Sequence, residues 1–474
     1  MKNALLIFAF LSFYLSSVHA SVEIRSNKLT TGDGLANNSI RYMFQDSKGF
    51  MWMGTVNGLS YYDGNSFVSI YPDPNLPVSL ADPRIRNMEE DSNGFLWIAT
   101  LSSLYSCYDL KHGRFVDFTG CGEYKQSYSK KIIASDQSIW LWDNNNGCRR
   151  VVYQDGQFSS QTYKKESGNL SSDEVLFVYE SNDSPGHVWI GTRQGLWKYH
   201  EGKLEAMDTQ GESWEHIFSY DQYTCIITGK KEIYRHSLSN NRLEKIASLT
   251  ELGDTGVITG SLRLQHQWVM FTATGSYILD PVTGKLRRFS RLNIKNGNVT
   301  RDNKGNAWVH NYTGNVWYVN TSTGDIKPFQ FLSSEHLGYI DVERYSIIHD
   351  SRDIIWITTY GNGLFAYDLN TGGLQHFTFE VSHSSHINSN YLQYIIEDRS
   401  GGIWVSSEFS GLSHLEILNK GTLRIYPNGE NASDRSNTIR MLLRGKNGNV
   451  FMANRMGTLY EYDAGLKNIL RKEK

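Results

Sequence analysis

The sequence predicts an all-β protein built from repeated four-stranded sheets, and three observations carry that prediction. Aromatic residues make up 13% of the chain, with 28 Tyr and 12 Trp, and Gly is frequent at 42 against 8 Pro. Aromatic and β-branched side chains fit the pleated surface of a strand, and tight turns need Gly. The stretch FMWMGTVNGLSYYDG, residues 50–64, has relatives down the whole chain. Finally, Trp52, Trp97, Trp140, Trp189, Trp268, Trp308, Trp356 and Trp404 fall at one place in that pattern, so eight of the twelve tryptophans are in register.

Each copy carries the same elements in the same order. An apolar strand of five or six residues, such as IRYMFQ from Ile40 or IRNMEE from Ile85, ends at an Asp: Asp46, Asp91, Asp302, Asp350 or Asp398. A Gly-bearing turn follows, in which Asp accepts backbone N–H groups and Gly takes the positive φ. The second strand centres on the Trp. A Gly-Leu turn then leads to a third strand ending near Tyr-Asp, and a polar turn leads to a fourth, such as FVSIY. A Trp-less copy lies near CIITGKKEIYRHSL, and the last copy puts Phe451 at the Trp place, giving ten copies. Four short antiparallel strands in a period of about 40–50 residues describe the blade of a β-propeller. The Trp then packs between adjacent blades, where its large apolar area stabilises the ring.

The start of the chain stands apart. MKNALLIFAFLSFYLSSVHA has a lone Lys2, an apolar run to about Val18, and Val18-His19-Ala20 before Ser21. That is the build of a secretory signal peptide, residues 1–20, and its core is shorter than the roughly 20 apolar residues of a bilayer span. No later stretch is long enough, so an exported mature chain without a membrane segment is expected. With 47 basic against 49 acidic residues the chain lacks the electrostatic footprint of a nucleic-acid binder. In an oxidising compartment Cys107, Cys121, Cys148 and Cys225 permit two disulfides in three connectivities; the alternative is four buried small residues.

Chemistry-bearing patterns are sparse. No nucleophile elbow, P-loop or GxGxxG is present, and no CxxC pair suggests zinc. His383 and His386 sit three apart in a polar loop without a third ligand. The pair Glu89-Glu90 beside Asp91 invites a glycosidase reading, but those Asp recur at the hairpin position of several copies. No catalytic residue, metal or cofactor is expected. Binding is the better expectation: where the innermost strands begin, at one rim of the channel, the residues are polar and basic. They include Asn37, Asn38, Arg41, Arg84, Arg86, Asn388, Asn390, Asn437 and Arg440, with Tyr360 and Asn362 in a neighbouring turn. Such donors suit the hydroxyls and carboxylates of sugars; they equally serve as caps of strand ends.

The pattern I-x5-D-x2-G-x2-W-[IM]-G-T-x2-G-L-x2-Y-D resembles the two-component regulator propeller repeat, best in LTTGDGLANNSIRYMFQDSKGFMWMGT and IWITTYGNGLFAYDLNTG. That repeat builds the periplasmic sensor region of hybrid two-component histidine kinases in glycan-degrading Gram-negative bacteria. The resemblance covers essentially the whole mature chain. It implies a non-enzymatic, periplasmic carbohydrate sensor in a phosphorelay, with an oligosaccharide or other small ligand and a homodimer as partners. It also implies two seven-bladed rings, of which residues 21–334 would form the first and residues 335–474 about three blades of a second. VEIRSNKLT would close the first ring by pairing with its last blade, and DIKPFQFLSS is either the seventh blade's outer strand or a crossing to the second ring. One ten-bladed ring is the alternative, beyond the usual range of about 4–8 blades. A secreted lyase or hydrolase, or a plain interaction scaffold, are the competing functions. No transmembrane or kinase motif follows in this sequence, and orphan blades are expected to leave sheet edges and an apolar face uncovered.

Overall fold

A computed structural model describes residues 22–119, 128–208, 212–230, 232–254, 257–302, 304–311, 315–330, 346–379, 387–418, 425, 427, 435–466 and 468–474. The expected signal peptide, Cys121 and the His383–His386 pair lie outside the described residues. The chain divides into two units, residues 25–416 and residues 22–24 with 417–474.

The first unit is a succession of nine antiparallel four-stranded sheets. They are numbered here as blades 1 to 9 by their first strands: Ile40–Gln45, Ile85–Glu90, Lys130–Ile133, Val175–Ser181, Trp214–Asp221, Gly260–Leu264, Asn298–Arg301, Ile347–His349 and Leu392–Glu397. Successive sheets approach each other through their first and second strands, which therefore face the middle of the ring.

The hairpin between first and second strands shows why Asp and Trp travel together. In blade 1, Asp46 Oδ1 accepts the N–H of Phe50 at 2.9 Å and Oδ2 accepts the indole N–H of Trp52 at 2.8 Å. Asp91 does the same for Phe95 and Trp97, Asp350 for Ile354 and Trp356, and Asp398 for Gly402 and Trp404. The carboxylate thus satisfies a buried backbone donor and a buried side-chain donor at once. Burial works against the Asp398 carboxylate, but hydrogen bonds from His414, Ser400, Trp404 and Gly402 outweigh it and hold its pKa well below the ordinary range. The second turn is closed by a hydroxyl: Thr55 Oγ1 donates to the carbonyl of Gly58 at 2.6 Å. Gly54 allows the next blade to approach, since a Cβ there would lie 2.5 Å from Ile85.

The blade tryptophans face the next blade. Trp52 packs with Ile85, Met88 and Ile98 of blade 2, Trp97 with Ile139 and Leu141 of blade 3, and Trp189 with Ile217 of blade 5. Trp268 is the exception to the expected register. It packs with Ile226 and Phe218 of the preceding blade, and Val269 faces blade 7 in its stead. The cause is a shortened hairpin, in which Leu264 pairs with Gln267 across only Gln265 and His266. One residue fewer in the turn moves each following side chain to the other face of the strand.

Ring closure also departs from the expected seven-plus-three division. The strand Glu23–Leu29 pairs with Leu412–Leu418 and completes blade 9, not blade 7. Blade 7 needs no outside strand because its own Ile326–Gln330 pairs with Asn315–Val319. Trp404 of blade 9 packs with Met43, Met51 and Met53 of blade 1, and Tyr42 meets Tyr394 with ring centroids 4.8 Å apart. The ring therefore closes on nine blades, which takes the eighth and ninth copies out of the expected second ring.

The second unit holds the tenth copy as a four-stranded antiparallel sheet, Ile439–Arg444, Val450–Asn454, Leu459–Tyr462 and Ile469–Glu473. Its small core is Met452, Tyr460 and Tyr462, while Leu442, Leu443, Met456 and Leu470 are exposed. Arg440 is exposed on its first strand. Cys107, Cys148 and Cys225 are free and buried, which rules out the two-disulfide arrangement. Burial raises the pKa of each thiol, that of Cys225 to about 12, so they stay protonated and unreactive.

Two outcomes follow. Asp91→Ala leaves the Phe95 and Trp97 donors unpaired and should cost about 1–3 kcal/mol in urea denaturation, whereas an unchanged midpoint would show the carboxylate to be incidental. Burial lowers the pKa of both His236 and His310 to about 4. Their neutral forms contribute stability that is complete above about pH 6.5 and is lost as pH falls through about 4. Urea denaturation between those limits should show this fall, and His236→Gln should reduce it.

Candidate functional site

The ring has two rims, one where the first strands begin and one at the hairpins where they end. Apart from Asn437 and Arg440 of the second unit, the residues expected to bind lie at the first. Arg41 Nη2 meets Glu408 Oε1 at 3.2 Å, and Arg84 grips Asp82 through Nε at 3.0 Å and Nη2 at 2.8 Å. That pair holds the Asp82 carboxyl down at about 2, its largest cause being the hydrogen bond from Arg84. Asn38 accepts the N–H of Thr31 at 2.9 Å, Asn37 that of Ser39 at 2.8 Å, and Asn390 that of Phe379 at 2.6 Å. Asn388 bridges to the carbonyls of Ser410 and Leu412. These Asn side chains staple loops. Tyr360 stands edge-on to Tyr391 at 5.2 Å, and the carbonyl of Asn362 accepts from His376. Arg86 is exposed on blade 2, near enough to Lys130 of blade 3 to add to the burial that lowers that lysine's pKa. Arg440 belongs to the second unit. The structure therefore gathers Arg41, Arg84 and Arg86 on blades 1 and 2, with Tyr360 and Asn390 on blades 8 and 9.

The hairpin rim carries a device that the sequence reading missed. In four blades the residue just before the hairpin Asp position, at or next to the end of the first strand, reaches back to the hairpin of the preceding blade. Glu90 accepts the N–H and hydroxyl of Ser47 at 2.6 and 2.5 Å, Glu180 those of Ser135 at 2.5 and 2.6 Å, and Glu397 those of Ser351 at 2.8 and 2.6 Å. Gln45 of blade 1 accepts the N–H of Arg399 of blade 9 at 2.8 Å, carrying the clasp across the closing junction. An acceptor at this position ties neighbouring blades together.

In blades 5, 6 and 7 the same position holds Ser219, Arg263 and Arg301, as strand pairing with Cys225, Trp268 and Ala307 shows. Two recesses open there. One of about 550 Å³ is lined by Tyr179, Asn182, Asp183, Phe218 and Trp268 together with both arginines. The other, of about 490 Å³, is lined by the same two arginines with Gln265, His266, Thr321 and Ser322. Two more recesses lie toward the first rim, one of about 240 Å³ around His216 and Lys230 and an apolar one of about 630 Å³ around Pro72, Pro77 and Leu80. Among the described residues, no helix is long and apolar enough to cross a membrane.

The clasp is testable. Glu90→Ala should lower unfolding free energy by about 0.5–1.5 kcal/mol in urea, the ordinary net worth of a hydrogen bond, and Ser47→Ala by a similar or smaller amount. Near-additive losses in the double variant would show that the two side chains do not act as a pair.

Residues 34–57 and 79–102 match the two-component regulator propeller family. No curated protein matches the chain. Among solved structures it is similar to the extracellular domain of BT3049 from B. thetaiotaomicron, described as a hybrid two-component system. Identity is 16% and the TM-score 0.36, over 95% of this chain and 66% of that one. The extracellular domain of BT4673 from the same organism gives 16% and 0.39, over 94% and 59%. BamB from Moraxella catarrhalis gives 13% and 0.43, over 83% and 98%. The chain thus spans about two thirds or less of these two-component domains. The matched segments coincide with the first hairpins of blades 1 and 2.

Proposed function

We propose that this chain is a non-catalytic, periplasmic sensory propeller of a two-component system, recognising glycan-derived oligosaccharides to control polysaccharide-utilisation genes. The observation that carries the reading is the match of the first two blade hairpins to the regulator propeller repeat, whose grammar runs on through the later blades. The recesses at the hairpin rim add room for a ligand, with aromatic faces and hydrogen-bonding groups in one place. The kinase activity of the signalling system is assigned to other segments or partners, and a homodimer is the assembly through which a bound ligand would shift a signalling equilibrium.

Thermal unfolding of the purified chain against a panel of oligosaccharides tests this. A ligand that binds only the folded state stabilises it by about 2.7 kcal/mol at a hundredfold excess over its dissociation constant, which raises the transition. A shift with one glycan class supports the sensor reading. A flat response to every glycan would sink it and favour a protein-interaction scaffold.

A further inference from the structure

We infer that the hairpin rim at blades 5 to 7 is an acidic-saccharide site, with Arg263 and Arg301 as its anion-binding pair. This rests on the sensor reading and goes beyond it by fixing the place and the charge of the ligand. The repeat itself supplies the argument. Where blades 1, 2, 4 and 9 place an acceptor that ties them to a neighbour, blades 6 and 7 place a guanidinium. At blade 6 the guanidinium still ties to its neighbour, as a donor to the Tyr220 carbonyl of blade 5, whereas Arg301 of blade 7 makes no such contact among the described residues, and both arginines line both recesses.

Neither guanidinium is used up by the fold. Arg263 donates through Nε to the carbonyl of Gln265 at 3.1 Å and through Nη1 to that of Tyr220 at 2.7 Å, and it lies 5.4 Å from the Tyr220 ring. Those contacts fix its plane and leave Nη2 without a protein acceptor. Arg301 is exposed and, among the described residues, has no hydrogen bond or ion pair. Among the described residues neither arginine forms an ion pair, although Asp183 lines the same recess, so a carboxylate or sulfate ester would find two sets of charge-assisted donors. Opposite them, Tyr179 and Phe218 line the larger recess beside Asn182 and Asp183. Asp183 is already oriented by the Ser219 hydroxyl at 2.9 Å. Aromatic surface with paired acceptors and donors matches a sugar ring carrying free hydroxyls. An anion at one end and pyranose-compatible groups at the other specify a sugar acid or a sulfated sugar above a neutral one.

The test is calorimetric titration of the purified chain with three probes: galacturonate oligomers, a sulfated disaccharide, and neutral galactan oligomers of matched length. One or both acidic probes should bind, with affinity falling as salt rises. Arg301→Glu should weaken that binding by about tenfold or more, the loss expected on removing a charged hydrogen bond, with Arg301→Gln in between. Arg114→Glu, the same change at an exposed position on the outer strand of blade 2, should alter it by less than about twofold. Arg301 has no partner among the described residues, so its variants should unfold at the parent temperature. Binding of neutral oligomers alone, or acidic binding indifferent to Arg301→Glu, overturns the inference while the sensor reading stands. Binding of no probe overturns this site, and the broader glycan panel then decides the sensor reading separately.

Discussion

Everything in the ring depends on how a hairpin of four short strands can carry a buried, polar-edged tryptophan. Indole is large enough to fill the gap between two twisted sheets, but its N–H must find an acceptor once water is gone. Asp46 and its counterparts supply one from within the same turn, using the carboxylate oxygen that the turn itself leaves over. The turn, the inter-blade packing and the satisfaction of the buried donor are therefore one arrangement. This is why Asp and Trp keep a fixed spacing in blades 1, 2, 8 and 9. Where the Asp is missing, as at Ala134 and Leu264, the indole N–H of Trp140 or Trp268 is left without a hydrogen-bond partner. In those blades the indole contributes packing alone.

A second, weaker layer of polar contacts lies outside this core, on the hairpin rim. Its Glu and Gln side chains link blades rather than strands, and they work at the surface, where water competes for each donor. Losing one costs little, so this layer can vary between blades. Blades 5 to 7 use that latitude. Their clasp positions carry Ser219 and Arg263, which tie to the preceding blade as donors, and Arg301, which among the described residues does not, and recesses open beside them. The scaffold is stabilised on the inside, leaving the rim available for recognition.

Much of the fold was legible in the sequence because its signals are local. The hairpin Asp, the Trp and the Gly turns lie within about twenty residues, and a period repeated ten times averages out accidents. What was not legible was long-range or depended on a single residue of register. Trp268 follows the pattern in composition, yet the turn before it is one residue short and moves it to the other face. Closure at blade 9 turns on which blade lacks a fourth strand of its own, and Leu412–Leu418 and Asn315–Val319 read alike until their partners are known. The expectation at the first rim rested on residue type alone, and the structure shows Asn37, Asn388 and Asn390 holding loops. The signal for the hairpin rim was present in the residue preceding each Asp position, where Gln45, Glu90, Glu180 and Glu397 give way to Arg263 and Arg301. Only the inter-blade contacts reveal that this column has a common task.

The strand that completes blade 9 precedes every other strand of the ring in the sequence. Residues 25–29 lie beside residues 412–416, so almost the whole unit must be made before its first strand has a partner. Bringing such distant segments together costs about 5 kcal/mol in chain entropy, which the last sheet and the Trp404 packing must offset. Until then Leu412–Leu418 presents an open edge, and so does Glu23–Leu29. Assembly of the ring is thus all-or-none in time as well as in space. A ring of this design is open to proteolysis and strand exchange until Glu23–Leu29 and Leu412–Leu418 pair.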